Sequence, residues 1–443
     1  MRSSTRRAVA LVFAATAVTH CTNPQGPSFD ETAVIAALRQ AAVPVGDSGL
    51  RAQAPRRVIE QLADGATIIG LGESTHGTRE FFLYKNQAIE LLAASGVRVI
   101  GFEVPWASAR TIGAYVNGAN ISEATVADAL QYKVYRTREV LDLLAWMRTE
   151  NQTRSPATRL VYAPFDPQDY LLTDPGGTIP QMDAVLRPVD APLADSVRVR
   201  YDALAIGLDT VVRTGKFTPA QGERLGMLVR VARERLAAAE GTLATRLGTF
   251  DAAWLVRSAA VVEQFITQAR LTATPATEAA GFTVRDSSMA ANAQWWLAMS
   301  GSGARAALWA HNGHVGITTM DGSLTMGTFL RRALGDRYRV LGFSMGGGRF
   351  NGNVPSDPQL APPARGGTVD GLLARVATQS NGIWLADLRS LSEPAAGWAT
   401  SATGQRWLGS GVGDTNLYLD LPLRPTFDAL LFVNQTTASI KVP

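Results

Sequence analysis

The sequence is short of the residues that most often carry chemistry. Among 443 residues there is one cysteine, Cys21, so neither a disulfide framework nor a cysteine-based zinc site can form within the chain. It does not read as a nucleophilic-cysteine enzyme either. Histidine is equally scarce, with only His20, His76, His311 and His314. An excess of one charge is also missing: 42 Lys+Arg face 38 Asp+Glu, which leaves no basic footprint for a phosphate backbone and argues against nucleic acid as a partner. Long apolar runs are absent beyond Ala8–Val18, which is too short to span a bilayer. A hydrophobic fraction of 46% over this length is ample for a large globular core.

The first segment has the layout of an export signal. Arg2, Arg6 and Arg7 precede the apolar run, and residues 1–21 end at Cys21. A cysteine in that place resembles the bacterial lipoprotein signal, which implies an exported protein, periplasmic or membrane-anchored through a lipidated Cys21. Residues 22–35 read as a tether and 36–443 as the folded domain.

From residue 36 onward, short β-rich runs alternate with helical patterns, which predicts an α/β fold with a mostly parallel central sheet flanked by helices. The expected strands are Ala66–Gly72, Val97–Val104, Arg159–Asp166, Arg305–Ala310, Arg337–Ser344, Gly382–Asp387 and Ala429–Asn434. Helices are expected at about Thr78–Ser95, Ala107–Val116, Thr137–Arg148 and Val284–Met299. From about Val189 to Leu271 the apolar spacing is helical and no strand pattern occurs, which predicts a helical insertion; Thr218-Pro219 is a good helix start within it. Thr272–Thr283 reads as a linker.

In open α/β sheets, ligands bind beyond the carboxyl ends of the strands. There the first expected strand runs into Glu73 and His76, the second ends at Glu103, the third at Asp166, and the fourth leads to His311 and His314. Glu73 and His76, three apart, can share one centre. A carboxylate on one imidazole nitrogen fixes the tautomer and leaves the other free to take a proton from water. His311 or His314 then stabilises an oxyanion or protonates a leaving alcohol. Gly342-Phe343-Ser344-Met345-Gly346 matches a nucleophile elbow, but no histidine follows His314 to complete that triad order. Ser344 is therefore read as a strand-end residue lining the same cleft.

At Gly70-Leu71-Gly72-Glu73-Ser74-Thr75-His76-Gly77-Thr78-Arg79-Glu80-Phe81-Phe82 the sequence resembles the erythromycin esterase family. Further landmarks follow in order: Gly101-Phe102-Glu103, Arg136 to Val140, Phe165-Asp166 with Gln168, Arg285-Asp286 with Met289 and Asn292, Ala310 to Val315, and Phe427 to Leu430. The resemblance implies hydrolysis of a macrolactone or other small ester by activated water, with no covalent intermediate and no cofactor. It implies His76 as general base and Glu73 as its partner. Glu103, His311 and His314 would share the catalytic cleft, and Lys85 would stand where the family carries a basic residue. Lys85, Asp166 and Ser344 are read as substrate-binding. Two alternatives stay open: a hydrolase using a divalent metal held by Glu73, His76, Glu103, Asp166, His311 and His314, or a lipoprotein that binds haem or another small ligand without turnover.

Overall fold

The structure, a computed structural model, describes residues 29–442 apart from 215–217, 321, 353, 355–356, 377–381 and 410–417. The expected export signal and most of the tether lie outside the described residues.

Eight strands form the central sheet: β1 (Val43–Pro44), β2 (Ile68–Leu71), β3 (Val99–Pro105), β4 (Val161–Asp166), β5 (Ala306–Trp309), β6 (Tyr338–Met345), β7 (Ile383–Asp387) and β8 (Ala429–Val433). Their order is β1-β7-β8-β6-β2-β5-β3-β4. From β8 to β4 every pairing is parallel, and β7 runs antiparallel to both β8 and β1. All seven expected strands are present. Their near-continuous apolar runs have a physical cause, since a parallel sheet is covered on both faces; β3 is buried along its whole length.

The two faces carry separate cores. Ile69, Leu71, Ile100, Phe102, Trp309 and Phe343 pack with α3 (Arg79–Ala94) and α6 (Arg138–Thr153). In chain order α1 (Glu31–Ala41) and α2 (Gln53–Ala63) precede α3, and α4 (Ser108–Val116) and α5 (Glu123–Ala129) precede α6. The opposite face, with Val99, Leu308 and Val340, packs with the long helices α10 (Thr249–Thr272) and α11 (Glu278–Met299). Between β4 and α10 lie α7 (Thr178–Leu186), α8 (Ala191–Thr214) and α9 (Pro219–Leu247), so the helical insertion is present. Thr218 starts α9 through a reciprocal capping box with Gln221, and Pro219 occupies the first turn.

Two boundaries differ from expectation. The tether does not reach residue 35, because Asp30 caps the amides of Thr32 and Ala33 and starts α1, which buries Val34 and Ile35. The linker stops at Thr277: α11 begins six residues before Val284. Its Gly281 marks a close approach, since a Cβ there would lie 2.5 Å from Thr272 Cγ2. Among the described residues no helix is long and apolar enough to cross a membrane.

Candidate active site

The loop after β2 turns directly above the carboxyl edge of the sheet. His76 N donates to Gly409 O at 3.0 Å and Leu408 N to Ser74 O at 2.8 Å, so the segment behind Arg406 clamps this loop. Gly77 follows with φ of +67°, and its carbonyl accepts from Asn351 N and Ser439 N. The clamp leaves Glu73 wholly buried and turns its carboxylate into a hub. Oε1 lies 2.7 Å from His76 Nδ1 and accepts from Tyr135 Oη at 3.4 Å. Oε2 accepts from Lys85 Nζ at 2.6 Å and from Trp309 Nε1 at 3.1 Å.

Lys85 sits in the buried stripe of α3 between Phe81, Phe82, Ala88 and Ile89, with no exposed surface. Its ammonium lies 4.6 Å over the Trp309 ring. Burial lowers its pKa to about 8 against the pull of Glu73. Burial alone would raise the Glu73 carboxyl, but Lys85 and then His76 outweigh it and hold it below its ordinary value. The expectation that Lys85 binds substrate is therefore corrected. The lysine is sealed beneath Glu73 and acts on His76 only through it.

A second carboxylate hub stands on the other side of the sheet edge. Glu103 Oε2 accepts from His311 N at 2.9 Å, and Oε1 lies 3.1 Å from Arg285 Nη2 and 3.3 Å from His314 Nε2. Arg285 forks onto Asp166, with Nη2 to Oδ2 at 2.6 Å and Nε to Oδ1 at 3.2 Å, while Tyr132 Oη donates to Oδ2 at 3.0 Å. His314 Nδ1 lies 2.9 Å from Asp286 Oδ1. Burial would lower the His314 pKa, but Asp286 and Glu103 overcome it and raise it to about 10. The ring is thus an imidazolium with both nitrogens engaged. Arg285 Nη1, 3.2 Å from Nε2, is a like-charged neighbour held in place by the surrounding carboxylates.

His311 differs. Its Nδ1 accepts from Gly313 N at 3.0 Å, so the single proton of the neutral ring resides on Nε2, and Nε2 is buried with no partner. Burial, then the neighbouring His76, push its pKa to about 3. The ring therefore stays neutral and is a donor rather than an acid. It stands 5.1 Å from the His76 ring, centroid to centroid, with Tyr135 edge-on to His76 at 6.0 Å and Trp407 edge-on to His311 at 6.2 Å.

The structure thus brings Glu73, His76, Glu103, His311 and His314 together. Asp166 joins them as a wholly buried carboxylate that accepts from Arg285, Tyr132 and Gln168 N. Ser344 is separate: it donates to Asp370, whose carboxyl burial raises to about 6 and which also accepts from Arg406 N at 2.6 Å. Asp166 and Ser344, both expected to bind substrate, are thus buried and engaged by protein groups. For the metal alternative, no three His, Cys, Asp or Glu side chains among the described residues form a group able to hold an ion; Glu73 and Glu103 already face Lys85 and Arg285. Tyr135, Trp309, Tyr132 and Trp407 also stand at the site, brought there by packing that no local motif announces. Arg285 and Asp286 stood out only as landmarks.

The class defined here is an α/β protein with paired carboxylate and imidazole groups at the carboxyl edge of its sheet, the edge where such folds bind ligands. The chain belongs to the erythromycin esterase family, whose model, described as erythromycin esterase, matches residues 92–436. That makes it a member of an ester-hydrolase family. Three solved structures share the fold. A Bacillus cereus protein matches at a TM-score of 0.78 with 20% identity, covering 94% of this chain and 100% of its own. A succinoglycan biosynthesis protein matches at 0.78 with 19% identity and the same coverage. A mutant of the erythromycin esterase EreC in its open conformation matches at 0.63 with 17% identity, covering 86% of this chain and 94% of its own.

Proposed function

We propose that this chain hydrolyses a small carboxylic ester or lactone by direct attack of water, with His76 as general base and His311 as the oxyanion donor. The observation that carries this reading is the facing pair. The His76 ring has Nδ1 engaged by Glu73, and opposite it stands an imidazole N–H on His311 with no partner.

Glu73 accepts the Nδ1 proton of His76 and leaves Nε2 with a lone pair. Water between the rings gives one proton to that nitrogen as its oxygen adds to the ester carbonyl. Charge then develops on the carbonyl oxygen, where His311 Nε2–H donates to it. Collapse of the tetrahedral species expels the alcohol oxygen, which takes the proton back from His76. One water is consumed, and a carboxylic acid and an alcohol are formed. His314 serves differently: as an imidazolium between Asp286 and Glu103 it fixes the carboxylate that holds the His311 backbone. Tyr135 and Trp407 give the reacting group an apolar wall.

The reading extends to an exported protein, and Cys21 is a candidate lipid anchor; intact mass of the cell-derived protein checks both. The reaction is tested by incubating the purified chain with erythromycin and simple esters in ¹⁸O-water. One ¹⁸O in the acid product is expected, with no acyl-protein mass and activity reduced about 10³-fold or more in His76→Ala. Full activity in that variant would overturn the mechanism.

A further inference from the structure

Apart from the two hubs, a third buried carboxylate takes no part in the proposed reaction. Asp370 lies in the first turn of the helix Val369–Val376. Its Oδ1 accepts from Ser344 Oγ, near the end of β6, and its Oδ2 accepts from Arg406 N at 2.6 Å. The charged and titratable groups around it are the Arg406 guanidinium, the Tyr418 hydroxyl and, over the Tyr418 ring, Arg365. The guanidinium is engaged elsewhere: Nη1 donates to Pro362 O at 2.7 Å, and Nη2 to Pro363 O at 3.1 Å and to Tyr418 Oη at 2.6 Å. What Asp370 holds is therefore the backbone of Arg406 and not its charge. Burying a carboxylate on neutral donors is costly, and burial raises the Asp370 pKa to about 6 against the pull of Ser344 and the Arg406 amide.

From Arg406 the chain runs onto the reacting groups. The hairpin strand Ala402–Arg406 ends here, and residues 407–409 continue without its ladder. The Trp407 ring stands edge-on to His311, with centroids 6.2 Å apart. Leu408 N donates to Ser74 O at 2.8 Å, and Gly409 O accepts from His76 N at 3.0 Å. Both facing histidines thus lean on three consecutive residues, and Asp370 grips the peptide that leads into them.

We propose that Asp370 is a positioning residue for the reaction: through the Arg406 amide it sets the path of residues 407–409, and with it the placement of His311 and of the His76 loop. The assignment deepens the esterase reading and rests on it for its link to turnover. An ionised carboxylate accepts from an amide more strongly than a neutral group does, so the segment is held tightest when Asp370 is charged.

The test is amide NMR of the ¹⁵N-labelled full chain from about pH 4.5 to about pH 8. The Arg406 amide proton should shift with a midpoint near 6, and the Leu408 amide should follow with the same midpoint. Both steps should be missing in Asp370→Asn, whose side-chain oxygen still accepts from Arg406 N while its NH2 donates to Ser344 Oγ. An Arg406 amide that does not titrate, a Leu408 amide that ignores the step, or a step that survives in Asp370→Asn would overturn the assignment. In parallel, Asp370→Ala should lower kcat for ethyl acetate about tenfold with KM changed less than about twofold, and Asp370→Asn should keep kcat within about threefold of wild type. If wild type hydrolyses the ester and a folded Asp370→Ala keeps its kcat, or loses only in KM, the assignment fails and the esterase reading stands. If the amide steps appear and wild type hydrolyses no ester, the esterase reading fails and the anchor of residues 407–409 stands. Should Asp370→Ala not fold, the titrations of wild type and Asp370→Asn decide.

Discussion

At the scale of single residues, the candidate groups at the sheet edge were legible in the sequence and their supports were not. Glu73 and His76 are three apart on one loop, so their pairing follows from local geometry. His311 and His314 are also three apart, yet they do opposite things. Gly313 N on one ring, and Asp286 and Glu103 on the other, decide which is a neutral donor and which an imidazolium. Gly313 is local, but Asp286 and Glu103 come from distant segments and leave no local pattern. Lys85 did leave one, a lysine inside the apolar stripe of α3, where a charge is tolerated only beside a counter-ion. It also sets the pH range. Above about 8 the ammonium loses its proton, and the buried Glu73 carboxylate loses the counter-ion that holds it in place beside His76, so activity should fall as pH rises. Lys85→Arg should move that alkaline limb upward, because a guanidinium stays charged, while Lys85→Met should lose activity at every pH. Rate–pH profiles of the three proteins check this, and an unmoved limb in Lys85→Arg would count against it.

Among elements, legibility tracked burial. The strands are sheathed on both faces, so their composition is apolar from end to end and their bounds emerged within a few residues. Helix α2 was missed because its exposed Gln and Arg residues dilute Val58, Ile59 and Leu62. Asp30 and Gly281 lie inside the expected tether and linker, whereas one caps α1 and the other lets α11 approach α10. Turns can be judged similarly. Gly77 holds φ of +67°, and a Cβ there would sit 2.2 Å from Asn351 O. Gly77→Ala should therefore cost about 2 kcal/mol or more of stability and displace His76. Urea unfolding measures the first effect and kcat the second; a change under about 0.5 kcal/mol would show that the turn relaxes freely.

Across the whole molecule, the class of fold and the helical insertion followed from alternation and spacing, but the strand order did not. Nothing local tells β5 to insert between β2 and β3, though that insertion carries His311 to the side of His76. The two rings are fastened to different halves of the protein. His76 is fixed through Glu73 to Lys85 on α3, over one face of the sheet, and His311 through Glu103 to Arg285 on α11, over the other. Each layer has its own core, so either can loosen separately. Activity should accordingly vanish at urea concentrations that leave the far-ultraviolet circular dichroism intact; coincident loss of both signals would refute this. The gap between His76 and His311 is then a caliper whose jaws belong to separate halves of the sandwich, and under the proposed mechanism the turnover rate reads the registration of those halves.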